Sequence, residues 1–556
     1  MINRAQRSII FRCMVVFIAM LWSTELLAVS AEDFQTALIE QLEYHPAKQF
    51  GIKGQGMDAE SIDIVLSKIY HENGLKPFWV GTDGPEKQAK VIFETLKDAD
   101  SHGLIPEHYL TDKIQKYWKS TDAKGLARLD ILLTLGLRGY VADMREGSIE
   151  ARKIDPKLFA TARDVEVDYD SLREQALSGS DMQAFLEQQV PPFLQYRKLR
   201  KALKEYRAMK AKGGWESIPE GKVLKPGMED ERVRLIRKRL VITGDLISDD
   251  LERVIYDDRT VQAVKRFQSR HGFEPDGIIG KNTLSALNIS VDTKIRQIVI
   301  NMERYRWIKH QLGERVIAVN IAGFNAAGIK PKTGDIEIKM RVIVGKEYHK
   351  TPVFSDSIKY VEFNPYWNIP VSIAKNEMLP KLKKNAYYLK EQNIRIFSSW
   401  GPDAKELDST AIDWGKVSKR EISRWHLRQE PGPHNALGTV KIVFPNKFSV
   451  YLHDTPSHSL FQKTKRAFSH GCIRLSRPAE MASYVLGGEK NGWNIERVKE
   501  IIAGEKRQVV SLKKPFPIYI LYRTVIVSPE NEEVNFRADI YGRDALLEKA
   551  LFKDEF

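Results

Sequence analysis

The chain has 556 residues and a formal charge of +14, with 42% hydrophobic and 10% aromatic residues. That length suggests three or four domains, and the apolar content excludes wholesale disorder. A basic balance suits nucleic acid, a membrane or an acidic polymer, or simply a solvated surface, and does not choose among them.

The N-terminus chooses a compartment. Arg4, Arg7 and Arg12 precede the apolar run Cys13–Trp22, and small residues follow at Val29-Ser30-Ala31. This is the order of a signal peptide over 1–31 with cleavage before Glu32, and a retained membrane anchor is the alternative. The leader carries +2, leaving +12 on the remainder. The expectation is an exported, periplasmic protein. The two cysteines are Cys13 and Cys472. Cleavage removes the first, so Cys472 is left as an accident, an intermolecular bridge or a reactive thiol.

Residues 32–225 read as a helical scaffold. Ala89–Leu96 and Leu129–Leu135 place apolar residues at helical spacing. A stretch rich in Gly, Lys and Pro from Lys210 to Pro226 marks a boundary. Over 226–290, Val233, Ile236 and Leu240 form one helical stripe and Val261, Val264 and Phe267 another. With the turn Asp276-Gly277 and a short helix from Thr283, this is a three-helix module. Its run Ala263-Val-Lys-Arg-Phe-Gln268 with Asp276-Gly-Ile-Ile-Gly280 resembles the small peptidoglycan-binding domain.

The texture changes from residue 291 to 530. Val316–Ile321, Met340–Val344 and Ser449–His453 are strand-like runs bounded by turns. The polar stretch of about 374–428, with Trp400, Trp414 and Trp425, reads as a helical insertion and a lid. Residues 531–556 read as a C-terminal tail.

Chemistry concentrates between Tyr451 and Arg477. His453 precedes Ser469-His470-Gly471-Cys472-Ile473-Arg474. A thiol nucleophile needs a base or a positive environment, and N–H donors for the oxyanion it creates. Gly471 permits close backbone approach. Both His453 and His470 offer an imidazole, the side chain whose ordinary pKa lies near neutrality, so composition does not pick the base. Strand alternation puts Ser449, Tyr451 and His453 on one face and Phe448, Val450 and Leu452 in the core, which favours His453. His453, His458, His470 and Cys472 could also ligate zinc, but His470-x-Cys472 is a poor pair with no second cysteine, and no metal is expected.

His453 with Ser469-His-Gly-Cys472 resembles the signature of YkuD-domain L,D-transpeptidases. Lys350-Thr-Pro-Val-Phe354, Asn364-Pro-Tyr-Trp-Asn-Ile-Pro370, Asn435-Ala-Leu-Gly438 and Tyr451-Leu-His-Asp-Thr-Pro456 extend the resemblance to the large, scaffolded Gram-negative (YcbB-like) type. Arg474 stands where the family often has Asn.

The resemblance implies a multidomain fold: a helical scaffold, a peptidoglycan-binding module, and a mostly-β catalytic domain with a helical lid. It implies Cys472 as nucleophile, His453 as base oriented by the Asp454 carbonyl, and His470, Tyr451 and Ser469 as supports. The Gly471 and Cys472 N–H groups would form the oxyanion hole. Arg474 would hold a stem carboxylate, and Trp367 beside Tyr366 would line the donor pocket. The implied reaction is three-to-three cross-linking of diaminopimelate stems through a thioacyl enzyme, without cofactor. Partners are peptidoglycan stems and glycan and other wall-synthesis enzymes, not nucleic acid. L,D-carboxypeptidase action, lipoprotein attachment and a non-catalytic wall-binding role are the alternatives.

Overall fold

A computed structural model describes residues 29–51, 58–155, 174–177 and 181–553. The leader at 1–28 lies outside them. The expected cleavage point after Ala31 falls in the first turn of the helix Ala31–Glu43, whose N-cap is Ser30. The Asp33 N–H donates to Ser30 Oγ at 3.1 Å, so cleavage there would remove the cap.

The chain forms two compact units, one of residues 1–145 with 167–190, the other of 146–166 with 191–556. The first is helical. Its expected segments lie in the helices Lys87–Lys97 and Ala123–Glu146. Asp130, fully buried in the second of these, accepts the Tyr70 hydroxyl and the Trp79 N–H, each at 2.7 Å. Burial raises its pKa to about 6. Its bonds staple two chain segments, a structural use of a buried carboxylate.

The second unit begins earlier than the sequence suggests. The helix Leu194–Ala211, expected within the scaffold, buries Tyr196, Leu199 and Leu203. It packs along the helix Val291–Arg306. The three-helix module follows as Arg232–Ile242, Asp258–Arg270 and Lys281–Leu287. Val233, Ile236, Leu240, Val261, Val264 and Phe267 share its core. Gln268 joins its parts by accepting the Gly277 N–H at 2.8 Å and donating to Asp276 at 2.8 Å.

The rest of this unit is built on a nine-stranded sheet. Its strands are β1 (Val316–Asn320), β2 (Asn325–Ile329), β3 (Ile336–Gly345), β4 (Phe354–Phe363) and β5 (Val440–Val443). They continue as β6 (Leu452–His453), β7 (Ala467–Ser469), β8 (Ile473–Leu475) and β9 (Gln508–Leu521). The order is β7-β3-β8-β6-β5-β4-β9-β1-β2, and β2 pairs again with β3, so the sheet closes on itself. Closure removes the free edges that an open sheet exposes. Val342, Val361, Ile442, Leu452, Ile473 and Ile520 are among the residues filling its interior.

Two expectations need correction here. The insertion is mixed rather than helical. It holds a four-stranded sheet that includes Ile394–Phe397 and His426–Gln429, besides short helices, around a core with Leu379, Ile396, Trp414 and Leu427. In His426–Gln429 buried Leu427 and Gln429 alternate with half-buried His426 and Arg428, a period of two set among charged residues that masked it. Residues 531–556 are no tail either. Val534–Phe536 pairs with Val525–Val527, and the helix Arg543–Leu551 buries Arg543 and Leu547.

Candidate active site

The site stands where β6 and β8 run parallel, with Leu452 opposite Ile473 and His453 opposite Arg474. The Ile473 N–H donates to the Tyr451 carbonyl at 3.1 Å, tying the segment after Cys472 to the segment before His453. Only Leu452–His453 of the expected strand is strand. Ser449 has φ 54, a turn conformation, and its carbonyl turns to within 3.7 Å of Cys472 Sγ. Val450 and Leu452 are nonetheless buried, and the Tyr451 and His453 rings lie 5.6 Å apart.

His453 is buried, with Nδ1 2.5 Å from the Asp454 carbonyl oxygen. A carbonyl only accepts, so Nδ1 carries the proton and the neutral ring keeps Nε2 as its basic atom. Burial, then the Arg474 guanidinium, lowers the His453 pKa to about 3. The ring is therefore neutral at pH 7. Cys472 is free and half-buried. Burial pushes its thiol up, opposed by hydrogen bonds from the Tyr451 N–H and hydroxyl and by the charges of Lys441 and Arg474. At rest Cys472 is a thiol and His453 a neutral imidazole.

The Asp454 side chain has separate work. Its Oδ2 accepts the Thr439 N–H and hydroxyl, both at 2.9 Å. Gly438, at φ 60, faces that carboxylate, and a Cβ there would lie 2.3 Å from Oδ2. Glycine is required on both counts. Nearby, Asn435 donates to the carbonyls of Pro365 at 2.9 Å and Glu430 at 3.0 Å, clamping the two stems of the insertion together.

The loop that carries Cys472 is propped from behind. Ser469 Oγ donates to the Cys472 carbonyl at 2.5 Å and accepts the Gly471 N–H at 3.1 Å. Gly471 takes φ 118, which favours glycine. The Thr351 hydroxyl donates to the Gly471 carbonyl at 2.9 Å and accepts the Gly345 N–H at 2.9 Å. The Tyr541 hydroxyl donates to the Gly345 carbonyl at 2.5 Å and accepts the Thr351 N–H at 3.3 Å.

This corrects the expected oxyanion hole. In this conformation the Gly471 N–H is engaged by Ser469, whereas no hydrogen bond engages the Cys472 N–H among the described residues. His470 is exposed and paired with Glu377 of the insertion, Nε2 to Oε1 at 2.6 Å. Arg474 is largely buried and its Nε has no hydrogen-bond partner. Tyr366 lies under the guanidinium groups of Arg428 and Arg507, at 4.3 and 5.2 Å. Trp367 pairs with Gln429 and packs on the insertion core.

Lys441, Thr351, Tyr541 and Glu377 were missed as site residues. Lys441 stands opposite His453 in the ladder, with Nζ 4.8 Å from the Tyr451 ring centre and 3.5 Å from buried Glu362. A lysine in the apolar run Val440-Lys-Ile-Val443 was the available signal. Thr351 stood inside a motif already noted. Among the described residues no cluster of three or more His, Cys, Asp or Glu is placed to hold a metal ion.

Known proteins match this chain domain by domain. Residues 314–504 match the L,D-transpeptidase catalytic domain, residues 65–203 a scaffold domain, and residues 229–287 a family described as "Putative peptidoglycan binding domain". A Haemophilus influenzae protein described as "Putative L,D-transpeptidase" is 30% identical over 269 residues, 48% of this chain and 52% of the relative. The chain thus spans about half the length of that curated relative. A solved L,D-transpeptidase (residues 123–326) from Xylanimonas cellulosilytica aligns at 12% identity over 55% of this chain and 99% of its own, with a TM-score of 0.18, too low to carry an argument. The chain is a multidomain protein whose catalytic part belongs to the L,D-transpeptidase catalytic domain family, joined to a scaffold domain and a peptidoglycan-binding domain.

Proposed function

We propose that this protein is an exported, periplasmic cysteine L,D-transpeptidase that forms three-to-three cross-links between diaminopimelate residues. What supports the reading is one juxtaposition: a free thiol beside the Tyr451 hydroxyl, on a loop laced to the strand that carries His453, whose Nε2 is the basic atom.

The Cys472 sulfur attacks the carbonyl between diaminopimelate and the terminal D-alanine of a tetrapeptide stem. The thiol proton passes to His453 Nε2 as the S–C bond forms. The imidazolium then protonates the departing amine as the C–N bond breaks. D-Alanine leaves and a thioacyl enzyme remains. The side-chain amine of a second diaminopimelate attacks the thioester and gives its proton to His453. The thiol is restored with that proton, and the cross-link is released. The Cys472 N–H is the oxyanion donor, and Arg474 pairs with a stem carboxylate. Because thiol and imidazole are both neutral at rest, proton transfer accompanies attack rather than preceding it.

Purified disaccharide-tetrapeptide incubated with the protein tests the reaction by mass spectrometry of products. A dimer less one D-alanine supports transpeptidation. Tripeptide alone indicates carboxypeptidase action, and no product from a folded protein supports the wall-binding role. Cys472→Ala is expected to abolish both turnover and carbapenem adduct formation while keeping the melting temperature. Equal adduct on both proteins would refute the nucleophile.

A further inference from the structure

A cleft lies past the C-terminal end of β8, the strand that follows Cys472. About 500 Å³ in volume, it opens between the start of β3, the helix Pro478–Val485 and the turn at Gly487–Gly488. Its charged lining consists of Arg315, Lys339 and Arg477 against Glu337, Glu480 and Glu489. The volume falls in the range of ligand pockets.

Four of the six charged groups, those of Arg315, Glu337, Arg477 and Glu480, are held in place before any ligand arrives. Glu337 Oε2 accepts Arg315 Nε and the Tyr484 hydroxyl, both at 2.7 Å, and its other oxygen lies 3.4 Å from Lys330. Arg477 Nη1 donates to Glu480 at 2.7 Å, and the Arg477 guanidinium also donates to the Lys339 carbonyl. The Arg315 guanidinium stacks 4.2 Å from the Tyr484 ring centre. Gly487 and Gly488 take φ 99 and 60, and a Cβ at Gly488 would meet open space. The turn therefore gives the cleft a floor without side chains.

Three cations balanced by three carboxylates do not favour an anion. Planar guanidinium and carboxylate groups instead offer fixed donors and acceptors in pairs, which suits a neutral ligand rich in hydroxyl and amide groups. Position narrows the ligand. Arg477 follows Cys472 by five residues, about 16 Å along an extended chain. A stem attacked at its third residue reaches back about 11 Å over three residues before the link to its sugar is added.

We propose that this cleft is a glycan subsite, taking the uncharged N-acetylated sugar of the strand whose stem is presented to Cys472. The proposal rests on the stem-peptide reading above and names where the rest of that substrate is held. It makes the catalytic domain itself, and not only the module at 229–287, a reader of glycan.

The test compares the full-length parent with Glu480→Lys and Glu489→Lys, both at exposed or half-buried positions away from the thiol. Disaccharide-tetrapeptide and the sugar-free tetrapeptide serve as donors. The parent is expected to show a KM about tenfold lower for the sugar-bearing donor. Each variant should lose most of that difference while kcat and the tetrapeptide KM hold. Equal KM for the two donors in the parent, or an undiminished difference in both variants, overturns the subsite. A parent that turns over neither donor refutes the reaction instead. Saturation-transfer NMR with the free disaccharide then decides: signal weakened by both charge reversals supports the subsite, and unchanged signal overturns it.

Discussion

His470 Nε2 lies 2.6 Å from Glu377 Oε1, so the insertion reaches the residue two before Cys472, whose ring also lies 4.9 Å from that of His349. Glu377 sits in the π-helical turn Ala374–Met378, a form that is rare and often found at functional positions. The insertion has its own core and joins the barrel through the Asn435 clamp, so this pair transmits its placement to the nucleophile loop. Glu377→Ala and His470→Ala are each expected to slow carbapenem acylation by about 3- to 10-fold, with the double variant no worse than either. Multiplicative losses would show that the two residues act separately.

His453 is assigned the base by its neutral ring and Nε2, and His470 is turned away to Glu377. His453→Ala should lower acylation at neutral pH by roughly 10²-fold or more, with partial recovery at alkaline pH as thiolate forms unaided. His470→Ala should show no such recovery. Stopped-flow acylation across pH distinguishes them, and an alkali-rescued loss confined to the His470 variant would reverse the assignment.

The resting thiol should titrate high. Burial raises the Cys472 pKa while Tyr451, Lys441 and Arg474 pull against it. Iodoacetamide alkylation of the free protein should therefore rise through and beyond the ordinary thiol range. Lys441→Met should shift that curve further up. A plateau of reactivity reaching below pH 6 would mean a pre-formed thiolate–imidazolium pair, contrary to this picture.

Acid should destabilise the catalytic unit through His453. Its folded pKa is about 3 against an ordinary 6.5. Between those values the unfolded chain binds the extra proton, so stability rises with pH across the window. It is complete above about 6.5 and is lost progressively as pH falls towards 3, amounting to a few kcal/mol. His453→Gln should flatten the pH dependence of melting over that window. Parallel curves for parent and variant would contradict the linkage.

Much of the site was legible because its parts are close in sequence. Ser469, Gly471 and Cys472 bond within one turn, and the segment entering β6 places Tyr451 and His453 side by side. The stripes of the three-helix module were equally local. What escaped was long-range. Nothing near Glu377 signals His470 as its partner, and nothing near Tyr541 signals a link through Thr351 to Gly471, since a carboxylate on a polar helix and a lone tyrosine are ordinary. The turn at Ser449 escaped too, because a positive φ at a serine has no compositional sign. The engaged Gly471 N–H escaped because the choice between oxyanion donor and Ser469 partner is made by loop geometry, not by residue type.

The Tyr541 hydroxyl bridges the Gly345 carbonyl and the Thr351 N–H, and Thr351 in turn holds Gly471. Tyr541→Phe should cost acylation rate while sparing the barrel's secondary structure, read by carbapenem kinetics beside far-UV circular dichroism.

That bridge also orders events in time. Tyr541 is made sixty-nine residues after Cys472, and the barrel strand β9 also comes after the thiol. A chain emerging from synthesis or crossing a membrane N-terminus first holds its cysteine long before it holds the brace behind it. Until Tyr541 docks, the Gly345 carbonyl and the Thr351 N–H lack this bridge, and the loop that carries Cys472 lacks its brace. A segment far from Cys472 in sequence thus fixes the backbone that presents it.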